Sequence, residues 1–423
     1  MLVKQKYQLA CALTLGSSVL IPAVAHAVPC DDIVLPNKVY GSGGSAVTAT
    51  LKAVALALAN DPDATAAEQT TIFYTDPNAC VGYAEYLTGK STRAFKYWIK
   101  GSTADQTCEA RVGGQPLDFG HMGNAADLCP DPVVPAGFGD FAAPIQTVNL
   151  VTAPKSNEMS ISAEALYFIY GFGKTGQVAP WTDGAGVFTR QSTAFVTYLV
   201  GAHSNVPATA FVGTGKWAAD DATAVQKNGD VVTAITTYAG TDEVKAAQSL
   251  GFISGSTADA NRSKVKTLAF QGFDQTCGVY PDSTLTALDK LNVRKGKYAL
   301  WAQGHYFTKV DANGKPTNPL VENLIHWFDG TEAAPGSKVS PFDATIKAGD
   351  IPACAMEALR EGTTGAFYSY APPKPCACRF ETVATGVASA CEACEADADC
   401  GGDTPSCNFG YCEAYRAEGE EEG

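Results

Sequence analysis

Four stretches of the sequence carry groups suited to holding an anion. Gly41-Ser42-Gly43-Gly44-Ser45 follows Asn37–Tyr40, which reads as a short strand. It precedes Val47, Leu51, Val54, Ala55 and Leu58, whose spacing lays one apolar stripe along a helix. A Gly-rich turn from strand to helix exposes backbone N–H groups and the positive end of the helix dipole, which together favour negative charge. No Gly-Lys-Ser/Thr follows this turn, so it is not a Walker loop, nor does the turn match Gly-x-Gly-x-x-Gly. A purely structural tight turn fits the same residues equally well. A second strand, Thr71–Thr75, leads through Asp76-Pro77-Asn78-Ala79-Cys80 into a helix carrying Tyr83, Tyr86 and Leu87. A third, Pro116–Phe119, runs into Gly120-His121-Met122-Gly123-Asn124. A fourth, Gly186–Arg190, passes through Gln191-Ser192-Thr193 into a helical run, Ala194–Val200. There Arg190 leaves a strand beside a hydroxyl N-cap, Ser192 or Thr193. A guanidinium at a helix N-terminus clamps an oxyanion well, although a surface arginine and an ordinary cap fit too.

Catalytic signatures are missing from the sequence. Of its histidines, His121, His203, His305 and His326 lie beyond the leader described below. None stands in a His-Glu-x-x-His or Cys-His pattern, and no Gly-x-Ser-x-Gly elbow occurs. Glu158 and Glu164 precede the apolar run Ala165–Tyr170 and read as partners of a helix dipole. Asp118 reads as a strand-end residue, and Trp181, Trp217, Trp301 and Trp327 as core or cleft-wall aromatics. His121 offers a pH-tunable group beside the third strand, with a satisfied structural histidine as the plainer reading.

The elements that must position these groups are bounded by length and composition. The chain has 423 residues, 46% of them hydrophobic and 17% charged, enough for a sizeable core in two or three domains. Its net charge of −14 argues against nucleic acid or an anionic membrane surface as partner. Lys4 and Lys6, the apolar stretch Leu9–Val24, and Ala25-His26-Ala27 form a secretory signal peptide over residues 1–27, with cleavage near Ala27. The mature protein is expected to be periplasmic or extracellular, without membrane insertion. From residue 28 to about 370, β-rich and helical runs alternate, the pattern of an α/β fold. Ala371-Pro372-Pro373-Lys374-Pro375 reads as a stiff linker. Residues 376–415 form a Cys-rich module, and 416–423 an acidic, disordered tail.

Cysteine usage agrees with export. The α/β region holds Cys30, Cys80, Cys108, Cys129, Cys277 and Cys354, and seven more fall between Cys376 and Cys412. The odd total leaves one thiol over or sends one pair across the linker. Cys108 and Cys129 flank one segment and could close a loop, but six cysteines allow 15 connectivities and none is assigned. Cys376-x-Cys378 with Cys391-x2-Cys394 has a zinc-like spacing, but in an oxidising compartment disulfides are the stronger reading. Asp397, Asp399 and Asp403 lack the pattern of a calcium loop.

The order of the motifs resembles the phosphate-type periplasmic substrate-binding proteins of ABC importers, a type 2 bilobal fold. The matching stretches are Val39–Ala46, Leu117–Gly120, Phe195–Leu199, Phe211–Trp217, Asn228–Ile235, Leu250–Ile253 and Leu324–Asp329. The resemblance implies two α/β lobes joined by two crossing segments: lobe I over 28–145 and 284–370, and lobe II over 146–283. It implies non-catalytic capture of a small oxyanion, phosphate or a relative, in the cleft, with no cofactor and no metal. Carried over by position, it makes Ser45 a hydroxyl donor and Ala46 an N–H donor. Ala79 or Cys80 then stands where the family has serine. Arg190 becomes the cation, with Ser192 and Thr193 beside it, and His121 could replace a lost polar group. The family's Asp-Phe-Gly-Ala-Ser-Asp ends in an aspartate that accepts the proton of a protonated phosphate, whereas Asp118-Phe119-Gly120-His121-Met122-Gly123 ends in glycine. An importer, or a surface partner met through the Cys-rich tail, completes what the resemblance implies. An extracellular interaction protein that reuses the fold without a ligand is the alternative, and a secreted phosphatase or hydrolase a more distant one.

Overall fold

The apolar stripe and the Gly-rich turn become the first half of a parallel β–α–β unit. Strand β1 (Lys38–Gly43) leads into helix α1 (Thr48–Asn60), which buries Leu51, Val54, Ala55 and Leu58. Strand β2 (Thr71–Thr75) then pairs parallel to β1, from Lys38↔Thr71 to Ser42↔Thr75. The burial of Leu51, Val54 and Leu58 contributes roughly 1.5–3 kcal/mol each. Helix α2 (Ala79–Thr88) is capped by the Asn78 side chain, which accepts from Val81 N–H. It crosses the Gly-rich turn so closely that a Cβ on Gly82 would lie 2.3 Å from Gly43 Cα. A Cβ on Gly43 would lie 1.8 Å from His121 O, so these two glycines are required by the approach of backbone to backbone. The third parallel strand, β3, spans Phe119–Met122. This corrects the expected Pro116–Phe119. At Asp118 the backbone N–H still donates to Tyr40 O at 2.8 Å, but its carboxylate takes Tyr40 N–H at 2.8 Å and Asn318 Nδ2 at 3.0 Å, while Leu117 N–H turns to Gly89 O.

The computed structural model describes residues 28–414 except 66–67, 131–132, 177, 191–193, 208–221, 226, 332–333 and 335–339. The expected signal peptide, Ser192, Thr193, the stretch 211–217 and the acidic tail lie outside the described residues.

Strand β4 (Phe138–Thr152) is long enough to pass from one lobe to the other. It is followed by α3 (Ala163–Phe172), β5 (Val187–Arg190), α4 (Phe195–Ser204), β6 (Ala222–Val225) and α5 (Asn228–Ala239). Next come β7 (Gly251–Ser254), α6 (Gly255–Ala260), β8 (Trp301–Lys309), α7 (Pro319–Asp329) and α8 (Pro341–Lys347). The large sheet runs β7, β4, β8, β3, β1, β2, then the short strands Phe95–Tyr97 and Gln106–Cys108. The pair β5–β6 is parallel and separate. Val39, Leu51, Ile72, Phe119, Tyr306 and Leu324 form a first-lobe core, and Leu150, Leu166, Leu199, Phe252 and Trp301 a second. The fold is thus mixed α/β and two-lobed.

β4 and β8 each contribute to both cores, as the two expected crossing segments would. A third segment lies beside them: Ile351 exchanges backbone hydrogen bonds with Ile145 at 2.7 and 2.9 Å. Val293, Tyr298, Leu300, Ala355 and Met356 belong to the second core.

The C-terminal module is stapled and also docked. Among the described residues six disulfides are present: Cys30–Cys108, Cys80–Cys129, Cys354–Cys376, Cys378–Cys391, Cys394–Cys407 and Cys400–Cys412. Cys108 and Cys129 do not pair with each other; each reaches back to an earlier cysteine, with Cα atoms 5.0 and 5.3 Å apart. Cys277 is free and exposed, and Cys354–Cys376 crosses the expected linker. Helix α9 (Ala377–Thr385) buries Phe380 in the second core. Arg379 pairs with Asp343 of α8, and Glu381 with Arg294 at 3.0 Å. Among the described residues no helix is long and apolar enough to cross a membrane.

Candidate functional site

Four helix N-termini meet at one cavity between the lobes. From the first lobe come Gly44, Ser45 and Ala46 ahead of α1, and Asn78 and Ala79 at the start of α2. From the second come Arg190 at the end of β5, Ala194, Phe195 and Val196 at the start of α4, and Asn228 at the start of α5. These helices are 10 to 13 residues long, so each presents first-turn N–H groups and a partial positive charge to the same space. No carboxylate stands among these described lining residues.

Arg190 carries the full charge. It is 3% exposed, and its Nη2 reaches Ser45 Oγ of the other lobe at 3.4 Å. Its Nη1 donates to Asn228 Oδ1, while Asn228 Nδ2 donates to Ser254 Oγ at 3.0 Å. Ser254 in turn exchanges a hydrogen bond with Thr257 at 2.9 Å, so a buried polar chain holds the guanidinium in place. Burial lowers the Arg190 pKa to about 10, against the pull of Asp230, and leaves it protonated at neutral pH. The cavity is small, about 20 Å³. A larger cavity of about 870 Å³, between Asp329–Thr331, Pro372–Lys374 and Ser406–Phe409, brings together none of these helix N-termini.

A second contact closes the same rim. Lys227, just before α5, places Nζ 3.2 Å from Asp76 Oδ1 at the end of β2. Asp76 also holds Lys96 at 2.9 Å and accepts from Thr48 Oγ1 at 3.3 Å. The two lobes are therefore tied twice beside the cavity, by Arg190–Ser45 and by Lys227–Asp76.

Of the residues expected from the sequence, Ser45, Ala46, Ala79 and Arg190 come together here. Ser192 and Thr193 lie outside the described residues. Cys80 does not line the cavity: its sulfur is bonded to Cys129, and both border a surface cavity on the far side of α2. The expected ligand role of His121 is corrected too. Its ring is 2% exposed and stacks on Tyr306 at 4.1 Å, with Phe328 edge-on, inside the first lobe. Burial lowers its pKa to about 3, so it is neutral. Its backbone serves the site instead: His121 O accepts from Gly44 N–H at 3.1 Å and from Tyr74 Oη at 3.2 Å, which fixes the Gly-rich turn.

Gly123, where the resemblance places an acid, does line the cavity. A Cβ there would lie 2.5 Å from Gln146 Oε1 and 3.1 Å from the Phe195 ring, so a side chain at this position requires Gln146 to shift. Sequence reasoning missed Asn78, Asn228 and Phe195. Only Asn78 left a local signal, an N-cap residue one step before a helical pattern.

No protein-family model matches the chain, and no curated protein does. Solved structures do resemble it. An ABC-type phosphate transport receptor from Vibrio cholerae is 16% identical over 74% of this chain and 99% of its own, with a TM-score of 0.42. A phosphate-binding protein from Stenotrophomonas maltophilia is 12% identical over 75% and 90%, with a TM-score of 0.41. PstS from Borrelia burgdorferi is 14% identical over 75% and 98%, with a TM-score of 0.36. At such identities and TM-scores the ligand must be inferred from the cavity itself.

Proposed function

We propose that the protein is an exported, non-catalytic binding protein that captures a small oxyanion, phosphate or a relative, between its lobes. The observation that carries this reading is the meeting of buried Arg190 with Ser45 from the opposite lobe, inside a ring of four helix N-termini. Guanidinium, hydroxyl and backbone N–H groups are the donors an oxyanion uses, and they need no metal or cofactor. The arrangement offers binding without chemistry: no base, nucleophile or acid stands among the described residues lining the cavity. The contacts Arg190–Ser45 and Lys227–Asp76 join the lobes beside the cavity, so opening and closing of the lobes around the ion would make and break them. Six disulfides support an oxidising compartment, in line with the leader at residues 1–27. The loaded form would be handed to an importer or met by a surface partner through the Cys-rich module. The small cavity also favours a second reading, in which the closed fold serves as an extracellular interaction protein without a ligand.

Thermal unfolding of the chain from Val28 against phosphate, sulfate, arsenate and phosphonates separates the two. An ion that binds only the folded state adds about 2.7 kcal/mol at a hundred times its dissociation constant. A stabilisation that disappears in Arg190→Met supports capture at this cavity. A flat response to every ion favours the interaction protein.

A further inference from the structure

A cavity of about 870 Å³ lies away from the interlobe site, where the Cys-rich module meets the body of the protein. Ligand sites occupy roughly 300–1,000 Å³, so there is room for a sizeable occupant. One wall is the end of α7, with Asp329. A second is the segment from Tyr370 through Pro372 to Lys374, and the third is the module itself, with Asp397 and Phe409.

These walls are fixed in place. The disulfide Cys354–Cys376 ties down the segment that follows Lys374, and Cys354 lines the cavity. In the module, Ser406–Asn408 pairs with Tyr411–Glu413, and Phe409 in the turn between them has a φ of 53°. A bulky side chain in that region persists only where packing holds it, and the Phe409 ring stacks on Phe342 of α8 at 5.0 Å. Asp397 accepts from Cys407 N–H at 2.7 Å, and Asp329 from Thr331 N–H at 2.8 Å, so backbone groups set both carboxylates.

Charge identifies the occupant. Residues 376–423 hold eleven acids against two bases, Arg379 and Arg416, a net of −9 out of the chain's −14. Arg379 is paired with Asp343 of α8. Glu392, Glu395, Asp399 and Asp403 are exposed on the module. Lys374 is the one cation among the described lining residues, against the two carboxylates. The module therefore sets a negative potential beside the cavity, which draws in cations and repels anions. The same field disfavours the chain's own acidic end, residues 418–422, as the occupant. The rings of Tyr370 and Phe409 offer flat apolar surface, which suits a guanidinium better than an ammonium.

We propose that this cavity is a docking site for an arginine-bearing, basic segment of a partner protein, with Asp329 and Asp397 taking its guanidinium groups and the rings of Tyr370 and Phe409 packing against them. The proposal gives a chemistry to the partner met through the Cys-rich module, and in that respect rests on the reading above. It needs no ion in the interlobe cavity.

The probe is a rhodamine-labelled, amidated peptide, Gly-Arg-Gly-Arg-Gly, with its lysine and glutamate counterparts, titrated by fluorescence anisotropy into the chain from Val28. The wild type is expected to bind the arginine peptide best, the lysine peptide less and the glutamate peptide not at all, with affinity falling as salt rises. Asp329→Asn and Asp397→Asn each keep the oxygen that accepts from the backbone and remove the charge, and each weakens the arginine peptide roughly 3- to 10-fold. Tyr370→Leu narrows the preference for arginine over lysine. The pair Glu392→Gln, Glu395→Gln, exposed acids outside the described lining, changes affinity by less than about twofold. Thermal unfolding first shows each variant to be folded, and if Asp397→Asn is not, Asp329→Asn carries the charge test. Wild type that binds no peptide, or binds the arginine and glutamate peptides equally, overturns the proposal. So does a loss in the Glu392, Glu395 pair as large as that in Asp329→Asn, which would mean diffuse attraction to the module. Arg190→Met is expected to bind the arginine peptide as the wild type does, so docking here and oxyanion capture between the lobes can each fail without the other. Loss of peptide binding in Arg190→Met would place the peptide between the lobes and overturn the proposal.

Discussion

Replacing Asp350 by asparagine should stabilise the protein at neutral and alkaline pH, although the carboxylate accepts two hydrogen bonds. Its side chain is buried between α1, β4 and the segment after α8. Burial is the dominant cause of its raised pKa, outweighing the hydrogen bonds from Thr50 and Gln146 that favour the charged form. The rise from 3.8 to about 7 means the folded state holds a proton that the unfolded chain has released. Below about pH 4 both states are protonated and folding carries no penalty. As pH climbs from about 4 to 7, stability falls, and above about 7 the full cost is in place. At 1.36 kcal/mol per pKa unit that cost is about 4 kcal/mol. Asparagine removes the charge and keeps the shape, at the expense of one poorly matched hydrogen bond worth about 1 kcal/mol. The net expectation at about pH 8 is a gain of roughly 2–3 kcal/mol, shrinking to nothing or reversing near pH 4. Urea unfolding of the disulfide-intact protein at several pH values, followed by tryptophan fluorescence, reads this directly. If Asp350→Asn loses several kcal/mol at pH 8, the carboxylate is a favourably held anion and burial does not govern its charge.

Other perturbations follow from the same contacts. Lys227→Met removes a half-exposed ion pair with Asp76, so its stability should change by less than about 1 kcal/mol, while stopped-flow dissociation of a bound ion should quicken. The double replacement Cys354→Ser, Cys376→Ser opens a disulfide with a sequence separation of 22, and chemical unfolding should show a loss of about 3 kcal/mol; an unchanged midpoint would mean that the docking of Phe380 alone holds the module. One equivalent of maleimide should label the native chain from Val28, at Cys277, by mass spectrometry; labelling of a second residue would contradict the disulfide pairing.

Much of this architecture is legible in the sequence because it is local. The stripe from Val47 to Leu58 and the strand Thr71–Thr75 follow from period and turn chemistry alone. The joining of Ser45 with Arg190, 145 residues apart, is legible only from the order of the motifs. Gln146 and Asp350 were invisible for a physical reason. Gln146 stands in a buried strand among Ile145, Thr147 and Val148, where its type signals nothing, and its partner lies 204 residues away. His121 misled because a histidine beside a Gly-rich strand end looks like a ligand, whereas alternation turns its ring into the first-lobe core against Tyr306. The Cys-rich tail reads as a tethered appendage from composition, since one phenylalanine, Phe380, and the pairs Arg379–Asp343 and Glu381–Arg294 that dock it have no sequence pattern.

The measurement that bears most directly on the account is calorimetric titration of phosphate and sulfate into the wild-type chain from Val28 and into Arg190→Met. The account predicts saturable binding of one ion per chain, weakened by at least about 30-fold in the variant while its unfolding temperature stays close to that of the wild type. Binding that is absent from the wild type, or that survives in Arg190→Met unchanged, would contradict it.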